Sequence, residues 1–170
     1  MPLSLSQKDH IELLRRSPLF DGVSGRILEL LVEIAAPVQV ARGQRFFIEG
    51  DAADCMYVLE SGAAAVLKRW EGRQYLLHGL GAGECFGEMA LVDPAPRSAS
   101  VVALEDCTAV RLFPWVLARV YAEDQQQYLT IQQNMSRLLC RRLRETNDAL
   151  FKPKTEVILT DGELSFRRSS

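Results

Sequence analysis

Histidine is scarce in this chain, with only His10 and His78 among 170 residues, and that scarcity closes off much metal and acid–base chemistry. A zinc or iron–sulfur centre needs clustered ligands, yet Cys55, Cys85, Cys107 and Cys140 lie far apart with no C-x-x-C pair. No metal or cofactor is therefore expected, and the thiols read as reduced and buried in a cytoplasmic protein. Nothing resembles a nucleophile–base set, so no enzyme is expected. Long apolar runs are missing too. The most apolar stretch, Ile27 to Pro37, is interrupted by Glu29 and Glu33 and is too short to cross a bilayer, and no secretory leader is expected. Charge of one sign is not in excess: the formal net charge of −2 offers no long-range attraction to nucleic acid or anionic membranes. Lysine is also sparse, since 16 of the 20 basic residues are arginines, and Arg137, Arg141, Arg142 and Arg144 cluster in one predicted helix.

What is present fits one ordinary globular domain, with 48% apolar and 25% charged residues. Residues 1–36 read as an N-terminal helical segment. Ser6 to Arg15 and Ser24 to Ala36 have helical spacing, Ser24 is placed as an N-cap, and Ser17-Pro18-Leu19-Phe20 breaks the two. From Pro37 to Phe113 the pattern changes to short aromatic and β-branched runs separated by glycines, with Glu71-Gly72-Arg73 as a tight hairpin. Seven or eight short strands at that spacing suggest a sandwich, barrel or jelly roll.

Residues 114–151 return to helical spacing, opened by Pro114 and broken near Glu123-Asp124. Gln125 to Phe151 carries a near-heptad stripe through Tyr128, Ile131, Met135, Leu138, Leu139, Leu143, Thr146, Ala149 and Leu150, and a homodimer through this helix is expected. Residues 152–170 are either a hairpin turning at Asp161-Gly162 or a loose tail.

The densest chemistry lies in Phe86-Gly87-Glu88-Met89-Ala90-Leu91-Val92-Asp93-Pro94-Ala95-Pro96-Arg97-Ser98-Ala99. Gly87 lets the backbone approach an anion, and the short helical run after it points N–H groups at one. Glu88 accepts hydrogen bonds and suits sugar hydroxyls; Arg97 presents a planar fork that matches phosphate, and Ser98 adds a hydroxyl. Asp93-Pro94-Ala95-Pro96 forces a turn. This is the chemistry of a pocket for a sugar phosphate.

The string resembles the phosphate-binding cassette of cyclic nucleotide-binding domains, the family of the catabolite activator and of the regulatory subunits of the cyclic AMP-dependent kinase. The family pattern appears here as FGEMAL, VDPAP and RSA. Supporting landmarks are Arg42-Gly43, Phe47-Ile48-Glu49-Gly50-Asp51, Met56 to Gly62 and Leu80 to Phe86, and the likeness runs from about Leu19 to Phe151. It implies a mainly β protein with flanking helices: a β jelly roll, or double-stranded β-helix, with N-terminal helices and a long C-terminal helix. It also implies that Glu88 takes the ribose 2′-hydroxyl, Arg97 the cyclic phosphate, and the amides of Gly87 to Ala90 the rest of the anion. Phe86, Met89, Ala90, Ser98 and Ala99 complete the implied ligand-binding set.

Cys140 to Asn147 resembles the part of the family's long helix that meets the base. Thr146 and Asn147 are thus candidates for contact with adenine, with His78, in phase with Leu76 and Leu80, at the pocket edge. Cyclic AMP is favoured over cyclic GMP.

The expectation is a sensor module in which ligand moves the C-terminal helix and alters a dimer or effector surface, with no direct DNA binding because the family's winged helix-turn-helix is not seen. The alternatives are a ligand-free interaction scaffold of the same fold and a sensor of cyclic GMP or a cyclic dinucleotide. A haem variant lacks the histidine it needs in the cassette.

Overall fold

The computed structural model describes residues 5–150, 155–160 and 163–168. The chain opens with helix α1 (Leu5–Arg16), a 3-10 turn (Pro18–Phe20) and α2 (Gly25–Ile34). Strands β1 (Ala36–Val40), β2 (Arg45–Phe47), β3 (Met56–Ser61), β4 (Ala64–Trp70), β5 (Arg73–Leu80), β6 (Cys85–Phe86), β7 (Ser100–Ala103) and β8 (Cys107–Leu112) follow, with a second 3-10 turn (Glu88–Leu91) after β6. Helices α3 (Trp115–Glu123) and α4 (Gln125–Ala149) come next, then β9 (Thr155–Thr160) and β10 (Glu163–Arg168). All strand pairs are antiparallel. One sheet runs β1-β8-β3-β6 and the other β10-β9-β5-β4-β7-β2. The result is a jelly roll with helices on the outer face of the smaller sheet.

The alternation of β3 explains that layering. Met56 and Val58 point one way, into a cluster with Leu14, Leu28, Val116 and Ile131 of the helices. Tyr57 and Leu59 point the other way, between the sheets, where they meet Phe86, Val66 and Val101. A strand with apolar residues on both faces belongs in the middle of a three-layer stack, and β3 lies between β8 and β6.

Turn chemistry matches the sequence closely at β4–β5. Glu71 and Gly72 have φ of 48° and 77°, the left-handed pair of a two-residue hairpin with native twist. At Gly62, φ is 85° and an added Cβ would lie 2.6 Å from the Asp106 carbonyl oxygen, so two turns meet there with no room for a side chain.

Asp124 ends α3 and starts α4 in one residue. Its backbone is extended, and its carboxylate accepts from the Gln127 N–H at 3.1 Å, capping the new helix. Ser24 stands at the N-cap of α2, but its hydroxyl makes no capping bond; its own N–H donates to Gln127 Oε1 at 2.7 Å, tying α2 to α4.

Two expectations need revision. Cys55, Cys85 and Cys107 are buried, but Cys140 is exposed on α4. The α4 stripe also divides. Ile131, Met135 and Leu138 are core residues, whereas Leu143 and Leu150 are 62% and 65% exposed. The first half of the helix therefore packs into the core of its own domain, and the second half presents Leu143 and Leu150 to solvent. Phe151, the expected helix end, and the Asp161-Gly162 turn lie outside the described residues. The strands flanking that turn pair with each other, and β9 adds to the edge of β5 through Gln74↔Val157 and Tyr75↔Glu156.

Candidate functional site

Gly87 and Arg97 fix the site together. Gly87 is left-handed at φ 70°, and a Cβ there would fall 2.6 Å from Arg97 Nη1. Only glycine lets the guanidinium lie so close to the backbone. Arg97 is 6% exposed. Its Nη1 donates to the Gly87 carbonyl at 3.3 Å, Nη2 lies 3.5 Å from Cys55 Sγ and 3.6 Å from Asp54 Oδ1, and the group stacks 4.0 Å over the Phe47 ring. The buried Nε has no partner among the described residues. A buried guanidinium with an unfilled donor is costly unless an acceptor arrives.

The backbone of Arg97 is held as firmly. Its N–H donates to the Asp51 carbonyl at 2.8 Å, and its own carbonyl accepts from Gly50 at 2.9 Å. Asp51 closes that turn by accepting from the Ile48 N–H. Glu49 accepts from Lys68 Nζ at 2.7 Å and from the Arg69 N–H at 2.9 Å, anchoring the turn to β4. The Lys68 hydrogen bond holds the Glu49 carboxyl below the usual range, against the effect of burial. The Glu49-Gly50-Asp51 segment therefore positions the arginine as well as turning the chain.

Glu88 is buried, and it has a partner that sequence reading missed. Arg142 of α4 reaches across the cleft with Nη1 2.5 Å from Glu88 Oε2, and its Nη2 donates to the Cys85 carbonyl. Burial opposes the Arg142 charge, but the Glu88 carboxylate outweighs it and raises the guanidinium pKa. The sequence placed Arg142 in an arginine cluster but held no signal for which of the four turns inward.

A cavity of about 180 Å³ opens between the cassette, β5 and α4. Leu77 and His78 both line it, although neighbours in a strand should face opposite ways. The reason is a bulge. Val66 pairs with His78 and Leu67 with Leu76, leaving Leu77 unpaired, so the expected phase from Leu76 to His78 is broken and His78 is re-aimed at the cavity. His78 Nε2 is buried without a partner among the described residues, and burial, then the nearby Arg142 charge, lowers its pKa.

The remaining expected residues divide. Phe86 is buried and stacked on Tyr57 at 5.2 Å, and Ala90 and Ala99 are buried beside it. Ser98 and Met89 are exposed at the rim, with the hydroxyl 3.8 Å from Met89 Sδ. Thr146 lines the cavity, but Asn147 does not. One residue on is about 100° around a helix, which puts Asn147 on the exposed face with Leu143 and Leu150.

The family model for the cyclic nucleotide-binding domain matches residues 37–124, from β1 through α3 and around the whole cassette. The chain belongs to that family. A "CRP-like cAMP-activated global transcriptional regulator" of Mycobacterium tuberculosis is 33% identical over 151 residues, which cover 88% of this chain and 64% of that protein. This family member thus spans less than two thirds of that relative's length. The catabolite activator protein of Thermus thermophilus is 32% identical with a TM-score of 0.69, over 79% of this chain and 62% of that one. A cyclic nucleotide-binding domain of Methylobacillus flagellatus has a TM-score of 0.74 at 25% identity, over 85% and 82%. These matched relatives carry the names of binding or regulatory proteins.

Two measurements probe this family site. Arg142→Ala leaves the Glu88 carboxylate buried and unpaired, which should cost about 3–5 kcal/mol in chemical denaturation. Adding Glu88→Gln to that variant should recover part of the loss, and no recovery would mean that the pair does not hold α4 down. His78 should titrate below its ordinary value in NMR. Because the unfolded chain then binds the proton first, folding stability should fall as pH drops below about 6.5 toward the folded-state pKa, and His78→Gln should flatten that window.

Proposed function

We propose that this chain is a cyclic nucleotide sensor that prefers cyclic AMP. The observation that carries the reading is Arg97, a buried guanidinium preset by Gly87, Phe47 and the Gly50-Asp51 turn, with its Nε unfilled. A cyclic phosphate supplies the missing acceptor, with the amides of Gly87 to Met89 beside it; the expected Ala90 N–H is already donated to the Gly87 carbonyl at 3.1 Å, closing the 3-10 turn. Glu88 then accepts from the ribose 2′-hydroxyl while Arg142 stays paired with its carboxylate.

Thr146 supports the choice of base. Its hydroxyl already donates to the Arg142 carbonyl at 2.8 Å, so its oxygen is left to accept. The adenine 6-amino group is a donor and matches; the guanine 6-oxo group does not. His78 borders the same space. Because ligand contacts come from both the cassette and α4, ligand favours the arrangement with α4 docked, by as much as its affinity for the docked and undocked states differs. A second copy then pairs through the exposed Leu143, Asn147 and Leu150 face of α4.

Calorimetry of the wild-type chain should show saturable binding of cyclic AMP and weaker binding of cyclic GMP. Arg97→Ala should weaken cyclic AMP at least about tenfold, from the loss of one or more charge-assisted hydrogen bonds. No heat with either nucleotide, and no displaceable fluorescent analogue, would sink the reading. Sedimentation velocity tests the dimer separately: Leu143→Glu should shift a dimer to monomer, and a monomeric wild-type chain would remove that part.

A further inference from the structure

On another face of the molecule, where the end of α1 and the Pro18–Phe20 turn meet α4, lies a polar groove of about 380 Å³. Arg15 and Arg16 enter it from α1, and Arg137 and Arg141 enter it from successive turns of α4. Among the lining residues Asp21 is the one carboxylate, and it forms no ion pair with any of the four arginines. Arg16 and Arg141 make neither hydrogen bond nor ion pair with any described residue. Arg15 meets only Glu12, at 3.4 Å on an exposed surface, a contact of little strength.

The groove is built rather than incidental. Asn134, 6% exposed, forms its floor: Nδ2 donates to the Leu19 and Asp21 carbonyls at 3.2 and 2.7 Å and locks the 3-10 turn onto α4. Its remaining acceptor, Oδ1, takes Arg137 Nη1 at 3.1 Å and aims that guanidinium along the groove. A buried amide with both donors spent on the scaffold and its acceptor spent on one arginine is a positioning device.

The end of α1 does not account for four cations. A helix dipole favours one or two charges within its last turn, and the Leu14 carbonyl there is already taken by the Ser17 N–H. In a chain of net charge −2 the convergence stands out further, because cations without counter-charges repel one another.

We propose that this groove binds a ligand carrying consecutive phosphoryl groups. Guanidinium forks match phosphate oxygens two at a time, and four of them around one groove suit a di- or triphosphate better than a single anion. Beyond Pro18 and Leu138 the lining offers no apolar wall for a base to bury against, so recognition rests on the phosphates. Inorganic oligophosphate and the tail of a nucleoside triphosphate share this chemistry. The site is separate from the cassette: no residue lines both the groove and the cavity beside Arg97.

Calorimetry of the full chain at low salt with sodium tripolyphosphate should show saturable one-to-one binding. Arg137→Gln combined with Arg141→Gln should weaken it at least about tenfold. Arg144→Gln, on the same helix outside the groove, and Arg97→Ala, in the cassette, should leave it unchanged. Arg16→Gln should weaken it severalfold and serves if the double variant does not fold. ATP binding more tightly than tripolyphosphate assigns the site to a nucleotide tail, and equal or weaker binding assigns it to free oligophosphate. Four results overturn the proposal: no saturable binding, an equal loss in Arg144→Gln, a loss confined to Arg97→Ala, or tighter binding of a hexaglutamate peptide than of tripolyphosphate.

Discussion

The structure of the site depends on keeping one guanidinium out of water without giving it a full set of partners. Arg97 is buried under Phe47, against the Gly87 backbone, with its Nε unfilled. Burying a charge in that state is unfavourable, so the surroundings have to hold it there. They do so through backbone: the Gly50 and Asp51 bonds fix the Arg97 main chain, and the missing Cβ at Gly87 opens the space its side chain fills. The aromatic cluster of Phe46, Phe47, Tyr57 and Phe86 walls off solvent behind it. Strain accepted at one residue is offset by a jelly roll packed on both faces of β3.

Helix α4 belongs to two environments. Its first half is core, through Ile131, Met135 and Leu138, and cannot leave without exposing that core. Past Leu138 the hold on the domain passes from apolar packing to polar contacts, chiefly Arg142 on Glu88 and on the Cys85 carbonyl. Polar contacts across a cleft are more easily exchanged than packed side chains, because water or a ligand can replace each partner. The end of the helix beyond Leu138 is thus the part whose position the cleft can set. β9 then pairs with β5 at Gln74 and Tyr75, on the same strand as the bulge that turns His78 inward.

Much of this was legible in the sequence, and the parts that were not have a common cause. The tight hairpin at Glu71-Gly72-Arg73 and the run of short strands follow from local chemistry, glycines where φ is positive and alternation where a strand is buried, whereas the jelly roll among the possible β folds came from the likeness of the cassette string to its family. The Arg142–Glu88 pair was hidden because it depends on how α4 crosses the cassette, and four arginines in one helix look alike until that crossing is set. The His78 orientation was hidden because a bulge shifts the phase of every residue beyond it, and nothing in Tyr75-Leu76-Leu77-His78 marks where the extra residue falls. Asn147 was paired with Thr146 by the likeness of Cys140 to Asn147 to the family's base-contacting segment, whereas within one chain a helix separates neighbours by about 100°. Exposure of Cys140 has the same origin, since it lies on the side of α4 turned away from the core.

Glu88 shows why such non-local contacts matter to the proposed chemistry. A buried carboxylate left without a positive partner is costly, and Arg142 is that partner before any ligand is present. A ribose hydroxyl is neutral and donates one hydrogen bond, so it adds to Glu88 without replacing the charge beside it. Arg142 therefore need not be expelled for a nucleotide to enter; with Glu88 satisfied on one side by a sugar and on the other by α4, both contacts are compatible with the same docked helix. On the proposed reading the carboxylate is the shared point at which ligand and helix meet, and its burial makes each depend on the other.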